Sequence, residues 1–196
     1  MTHHPLNDAY SRLNRASEHL ESLKVAHTAF IDAENKIAED NPEFDTSKVP
    51  ASVSFKPVEK IPTIIPILVG EVAYHLRGAL DFLVYELAVI DSGAPCKGSQ
   101  FPIEGTPEGF RGRRKSFLNG ISDAHVAAIE KLQPCAGTKW TAFLRNVSNP
   151  EKLRHFTVAQ PASFVALDDG SPIIDTLETV HAAVRYTLDT FKPEFK

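Results

Sequence analysis

Residues 64–90 read I-I-P-I-L-V-G-E-V-A-Y-H-L-R-G-A-L-D-F-L-V-Y-E-L-A-V-I, and this stretch decides the fold. Its apolar residues recur every three or four positions, which predicts one long, mostly buried helix. One broad face of that helix carries Val69, Val72, Leu76, Ala79, Leu80, Leu83, Leu87 and Ile90. A narrow polar stripe on the opposite side carries Glu71, Tyr74, His75, Asp81 and Tyr85. Since unpaired polar groups are costly to bury, we expect another element or a second subunit to cover this stripe.

The segments on either side extend the same kind of pattern. Helical spacing predicts helices over 6–39, 122–132, 138–148 and 173–192, and alternation predicts strands over 47–58 and 155–167. Residues 91–120 are rich in Gly and Pro and indicate a long loop with room for one short helix, with the basic cluster 111–115 solvated in that loop. The sequence therefore predicts a single domain, 1–196, of mainly α class (α+β). It is a helical bundle around a long central helix, with a small antiparallel β-sheet.

Composition is typical of a cytoplasmic globular protein. The chain has 196 residues, 42% of them hydrophobic and 23% charged, which is enough to bury one core. Its net charge of -4 argues against broad, non-specific binding to nucleic acids, which needs a positive surface. Cys96 and Cys135, without a signal-peptide pattern, indicate reduced thiols in the cytosol. No apolar run reaches the roughly 18 residues that a membrane span requires, so we expect no membrane partner.

The pair Glu71-x-x-x-His75 places a carboxylate and an imidazole one helical turn apart. Both groups ligate zinc, so the pair is a metal site if His155, His125 or Asp123 converges on it. In the alternative interpretation, His75 donates to a carboxylate or carbonyl and only holds helices together. The P-loop, dinucleotide-binding, nucleophile-elbow and H-E-x-x-H motifs do not occur, so the sequence indicates no particular cofactor.

Charged residues predict ion pairs around the same helix. Arg77 and Asp81 lie four positions apart and can pair along it. On an extended chain Arg154 and His155 point opposite ways, so that one reaches the polar stripe while the other faces solvent. We expect Arg154 to pair with Asp81 or Glu71.

Gly78 interrupts this helix near its middle. A glycine there costs about 1 kcal/mol relative to alanine. A close-packed helix crossing or a bound ligand at this point would explain its presence.

The ordered motifs of residues 60–155 resemble a family of bacterial and phage proteins of unknown function. The motifs are V-G-E-V-A-Y-H-L-R-G-A-L-D-F-L-V-Y-E-L, F-P-I, I-E-K-L-Q-P and N-P-E-K-L-R. The family pattern runs G-D-x-x-H-N-L-R-S-A-L-D-H-L, F-P-I, I-x-x-L-Q-P-Y and N-x-D-K-H-R. Its arginine, with a histidine five positions later, is similar to the R-x4-6-H motif of HEPN-type ribonucleases, small helical proteins of toxin and defence systems. That resemblance implies a dimer acting on RNA.

This chain departs from the family at both histidines. Arg77 matches the family arginine, but Phe82 and Leu153 stand where the histidines would be, and Cys135 replaces the tyrosine. A phenylalanine cannot act as an acid, a base or a hydrogen-bond donor. We therefore favour a non-catalytic helical binding or interaction module over an enzyme. It would form a homodimer and contact a protein or small molecule through Glu71, Tyr74, Tyr85 and His155.

Two alternatives stay open. The first is a HEPN-like, RNA-directed enzyme that holds phosphate with the basic cluster and uses the catalytic residues His75, Arg77, Asp81 and Arg154. The second is a metal-dependent enzyme with Glu71 and His75 as ligands. The expected partners are therefore a second copy of the chain and either RNA or a small molecule.

Overall fold

The computed structural model of the protein describes residues 4–40, 54–57, 61–94, 97–148, 156–160, 164–167 and 169–195. The helices in these ranges are α1 (Asn7–Glu39), α2 (Ile64–Ser92), α3 (Pro107–Phe117), α4 (Asp123–Glu130), α5 (Lys139–Val147) and α6 (Ile173–Phe191). The strands are β1 (Ser54–Pro57), β2 (Thr157–Gln160) and β3 (Val165–Ala166), and short 3₁₀ turns cover Pro134–Ala136 and Lys192–Glu194. The chain is mainly helical, as the periodicity predicted.

The core lies where α1, α2 and α6 meet. The pairing of α1 with α2 is the most extensive contact in the molecule, and α6 packs against both helices. The facing side chains are completely buried, among them Leu13, Leu23, Leu76, Leu80, Leu177 and Val184. Because burying one leucine contributes about 1.5–3 kcal/mol, this three-helix contact is a large source of hydrophobic stabilisation. The predicted bundle around the 64–90 helix is confirmed.

Helix α2 follows its sequence signals at both ends. Because it begins at Ile64, Pro66 lies in the first turn, where a missing N–H breaks no helical hydrogen bond. It ends at Gly93, whose backbone is left-handed with φ 80° and whose N–H donates to the Val89 carbonyl at 2.9 Å. The predicted apolar face is buried except for Ile90, which is 41% exposed.

Residues 107–117 form helix α3, so the interpretation of the basic cluster 111–115 as part of a loop is wrong. The Thr106 hydroxyl caps the helix by accepting from the Gly109 N–H at 3.1 Å. Pro107 takes the first helical position, where its fixed φ favours the helix. Glu108 in the first turn pairs with Arg111 one turn later. Pro107 therefore starts a helix within a segment whose Gly and Pro content predicts a loop.

The short strands contact the helical core at α1 and α6. β1 pairs antiparallel with β2 and β2 with β3, with Phe55 opposite Ala159 and Val158 opposite Val165. Val165 is completely buried, and its N–H donates to Nε2 of His27 on α1 at 3.0 Å. The rest of the predicted strand 47–58 lies outside the described residues.

Candidate functional site

Arg77 and Asp81 hold the backbone of Phe101, and we call this arrangement the Phe101 clamp. Nη2 of Arg77 donates to the Phe101 carbonyl at 2.9 Å, and Oδ1 of Asp81 accepts from the Phe101 N–H at 2.8 Å. The two side chains also approach each other, with 3.8 Å between Arg77 Nε and Asp81 Oδ1. Burial raises the pKa of Asp81, while the Phe101 hydrogen bond and the Arg77 charge act in the opposite direction. Two of the predicted catalytic residues thus position a buried segment of the chain.

The buried amide of Gln133 holds the other end of that segment. Its Oε1 accepts from the Glu104 N–H at 3.0 Å, and its Nε2 donates to the Ile129 carbonyl at 3.1 Å. The Cys135 N–H donates to the Glu104 carbonyl at 3.2 Å. Gln133 is completely buried, and a buried amide is tolerated when its donor and acceptor are both paired. The motifs F-P-I and L-Q-P therefore belong to one hydrogen-bonded network with the Phe101 clamp.

His19 of α1 joins Glu71 and His75 of α2 in what we call the His–Glu cluster. The potential ligand atoms of these three side chains all lie within 4.8 Å of one another. The two imidazole rings stack, with centroids 5.4 Å apart and planes inclined by 12°. Burial lowers the pKa of His75, the positive charges of His19 and Arg12 lower it further, and Glu71 acts in the opposite direction. Sequence reasoning identified Glu71 and His75 but missed His19.

The side chain of Arg12 crosses α2 beside this cluster. Its Nη1 lies 3.5 Å from Nδ1 of His75, and its guanidinium carbon lies 5.6 Å from the Tyr74 ring centroid and 5.8 Å from that of Phe82. Its Cδ is 3.7 Å from the position that a Cβ on Gly78 would take. Gly78 therefore faces a flexible side chain at ordinary contact distance. The expected close helix crossing is not its neighbour.

The polar stripe of α2 remains open to solvent over part of its length. Glu71 is exposed, and Tyr74 and Tyr85 are 61% and 41% exposed. Among the described residues none covers these three side chains, and their cover by a second subunit stays a prediction. Arg154 and His155 lie outside the described residues, so their predicted contacts with the stripe stay predictions.

His125 near the start of α4 pairs with Asp91 near the end of α2. Nδ1 of His125 lies 2.7 Å from Oδ2 of Asp91, which also accepts from the Ser122 N–H at 2.8 Å. Burial alone would raise the pKa of Asp91, but the hydrogen bonds from His125 and Ser122 outweigh it and lower the pKa. A carboxylate only accepts, so Nδ1 carries the proton and Nε2 is left for another partner. A helix rises about 1.5 Å per residue, so Asp91 is about 30 Å along α2 from Glu71 and this pair does not join the His–Glu cluster.

A groove of about 450 Å³ opens between α4 and α6 beside His125. Its walls are mainly apolar and include Ala124, Ala128, Leu132 and Phe191. Lys131 and Glu194 are charged residues that also line it, and Glu194 Oε2 is 3.9 Å from Nε2 of His125. No periodicity in the sequence predicts this groove, because its walls come from segments about 60 residues apart.

The arginines of α3 are paired with acidic side chains. Arg113 meets Glu104 at 3.3 Å, Arg114 meets Asp123 at 2.6 Å, and Arg111 meets Glu108. Such exposed pairs contribute at most about 1 kcal/mol each to stability. They nevertheless neutralise much of the positive charge that was predicted to hold phosphate.

No protein-family model, curated protein or solved structure matches this chain. The resemblance to HEPN-type proteins and the cytoplasmic location therefore remain predictions. In the part of the chain that the structure describes, no helix combines the length and the apolar character needed to cross a membrane. The proposed function is therefore based on the geometry of individual side chains.

Proposed function

We propose that this protein is a non-catalytic helical binding module that holds a small, mainly apolar molecule in the groove between α4 and α6. The observation that carries this proposal is the place of His125 in the groove wall, with its Nδ1 held 2.7 Å from Asp91. A concave site of a few hundred Å³, with apolar walls and few polar groups, is the usual form of a small-molecule site.

The polar groups of the groove suit a ligand with one acidic hydroxyl. Because Asp91 occupies Nδ1, Nε2 is the nitrogen of His125 that can accept from a phenol or a carboxylic acid. If the proton transfers, Asp91 stabilises the resulting imidazolium, and the ligand is held by a charge-assisted hydrogen bond. Lys131 places a positive charge beside the groove and Glu194 a negative one.

The hydroxyl groups near His125 support binding rather than nucleophilic catalysis. Ser122 Oγ lies 3.1 Å from Nδ1, the nitrogen that Asp91 already holds. The hydroxyls of Thr187 and Thr190, which line the groove, donate to carbonyls of their own helix at 2.9 and 2.8 Å. A nucleophilic hydroxyl needs a hydrogen bond to the base that takes its proton.

The ribonuclease alternative draws less support from the geometry. Arg77 is engaged with Phe101, and three arginines of α3 are paired with acids. The net charge of -4 also disfavours RNA as the partner.

We further propose that the module forms a homodimer through the open stripe of α2. Ile67, Tyr74 and Tyr85 are spaced by seven and eleven residues, which places them on one line of the helix. They are 53%, 61% and 41% exposed, and tyrosine is enriched in protein interfaces. Light scattering after size exclusion tests this: a dimer that Tyr74→Asp turns into a monomer supports it, and a wild-type monomer contradicts it.

The groove is tested by NMR with a fragment set of aryl carboxylic acids and phenols. We expect amide shift changes on α4 and the second half of α6. Ala128→Trp should abolish binding by filling the groove, whereas Ala127→Trp, on an exposed position of the same helix, should leave it intact. His125→Gln should weaken binding by about tenfold. Shifts elsewhere, or binding that survives Ala128→Trp, would contradict the proposal.

A further inference from the structure

We propose that His19, Glu71 and His75 form a binding site for a divalent transition-metal ion of the zinc type. The site is separate from the groove and does not depend on it. Two imidazoles and one carboxylate are a common protein ligand set for zinc, with a fourth position left to water or another molecule.

The distances within the cluster are compatible with a shared ion. Zinc lies about 2.0–2.2 Å from nitrogen and oxygen ligands, so tetrahedral ligands are roughly 3.3 Å apart. The potential ligand atoms of the cluster are within 4.8 Å of one another. Small side-chain rotations therefore close the site, above all at Glu71, which is exposed and free to adjust.

The backbone that carries the ligands is fixed by the core. Glu71 and His75 lie one turn apart on α2, and each is followed by a completely buried residue, Val72 and Leu76. His19 precedes Leu20 on α1, which is 4% exposed. Ligands on packed helices keep their relative positions, and this preorganisation favours metal binding.

The contacts that Glu71 and the two imidazoles make within the chain do not compete strongly with a metal ion for the lone pairs of these ligands. Glu71 forms no ion pair with any described residue, although arginines lie nearby on α1. The imidazoles of His19 and His75 stack on each other at 5.4 Å, an arrangement that leaves ring nitrogens at the edges of the stack.

Among the described residues, Arg12 is the cation in direct contact with a ligand of the cluster, and it opposes an ion. Its guanidinium always donates, so Nδ1 of His75 is the acceptor in their 3.5 Å contact. An ion at Nδ1 must displace Arg12, and an ion at Nε2 requires a proton on Nδ1, which also ends that contact. Arg12 can withdraw to the rings of Tyr74 and Phe82, over which it already lies. The guanidinium of Arg12 therefore competes with the metal ion for this site.

The ligand set also selects among metals. Imidazole suits Zn²⁺, Co²⁺, Ni²⁺ and Cu²⁺, while Mg²⁺ and Ca²⁺ prefer an all-oxygen shell. We expect Zn²⁺ to bind and Mg²⁺ at millimolar concentration not to compete with it.

Calorimetric titration of the full chain with Zn²⁺, and titration with Co²⁺ followed by visible absorption, test the proposal. We expect one ion per chain and a ligand-field spectrum typical of a nitrogen–oxygen site. His19→Ala, Glu71→Gln and His75→Gln should each lower the affinity by about tenfold or more, while circular dichroism shows that the variants stay folded. Arg12→Met, which keeps the contact with the rings, should raise it by about tenfold at low ionic strength.

Matched variants separate this site from other histidines and carboxylates. Glu18→Gln removes an exposed carboxylate next to His19, and His125→Gln removes a histidine on α4, far from the cluster. Both should bind Zn²⁺ as the wild type does. His4→Ala removes one histidine of the His3-His4 pair. Loss of Zn²⁺ binding in His4→Ala but not in Glu71→Gln would place the ion at the terminus and overturn the proposal. So would a wild-type chain that binds no Zn²⁺.

Discussion

The carboxylate of Asp81 accepts a hydrogen bond from the backbone N–H of Phe101 at 2.8 Å, across 20 residues of sequence. One turn earlier on α2, Arg77 donates to the carbonyl of the same residue. Both polar groups of the buried Phe101 backbone are thereby paired with side chains instead of a helix or strand. Arg77 and Asp81, which were predicted to be catalytic, thus hold the backbone of Phe101 in place.

Asp81→Ala should lower the free energy of unfolding by about 1–3 kcal/mol, because it leaves the buried Phe101 N–H without an acceptor. Asp81→Asn keeps an acceptor oxygen and should cost less. Urea denaturation followed by circular dichroism measures both. Glu130→Ala, at an exposed carboxylate, should change stability by no more than about 0.5 kcal/mol, and an Asp81→Ala value that small would contradict the role assigned to the Phe101 clamp.

The stability that Asp91 confers should depend on pH. Its pKa in the folded chain lies below the ordinary value of 3.8, so its contribution is complete above that value and is lost as the pH falls through the lowered pKa. Asp91→Asn should therefore be clearly less stable than the wild type at about pH 6, and the gap should narrow toward about pH 3. Urea denaturation at both pH values measures the gap. A gap for Asp91→Asn that widens in acid would be the wrong sign.

Gln133→Leu should destabilise the protein although leucine is apolar and similar in size. The substitution removes the acceptor of the partly buried Glu104 N–H, which costs about 1–3 kcal/mol. Thermal and urea denaturation would show the loss, and Glu130→Gln on the exposed surface serves as the control. A neutral Gln133→Leu would mean that water or another group replaces the amide.

Gly78→Ala should stabilise the protein by about 0.5–1 kcal/mol. The new methyl group would sit 3.7 Å from the Arg12 side chain, an ordinary contact, and alanine is the better helix former. Ala79→Gly, at a completely buried neighbour, should lower stability instead. A destabilised Gly78→Ala would reveal a closer neighbour at this point, such as a partner subunit.

Long amphipathic helices were predictable here because their spacing repeats many times. The helix expected over 6–39 is observed as Asn7–Glu39, and that expected over 173–192 as Ile173–Phe191. Short helices depend on single residues at their ends, and α3 was missed because Pro107 both breaks and starts helices. The Thr106 cap makes Pro107 the start of a helix, and a count of Gly and Pro residues does not detect a cap.

The candidate sites were predictable only where their residues share one helix. Glu71 and His75 stand out because they lie one turn apart, but their meeting with His19 depends on the axial offset between α1 and α2, and no spacing within either helix encodes that offset. The pairing of Asp91 with His125 likewise depends on how the chain returns after α2. The roles proposed for Arg154 and His155 concern residues outside the described ranges.

The extended segment from Phe101 to Glu104 has a consequence for the order in which the chain assembles. Its hydrogen bonds run to side chains 20 and 29 residues away, so nothing local fixes its conformation. The segment can reach its native conformation only after α2 and the turn around Gln133 have formed, because each of them supplies a hydrogen-bond partner. In a refolding experiment Phe101 and Glu104 should therefore be among the last residues to reach their native environment, well after the three long helices have collapsed.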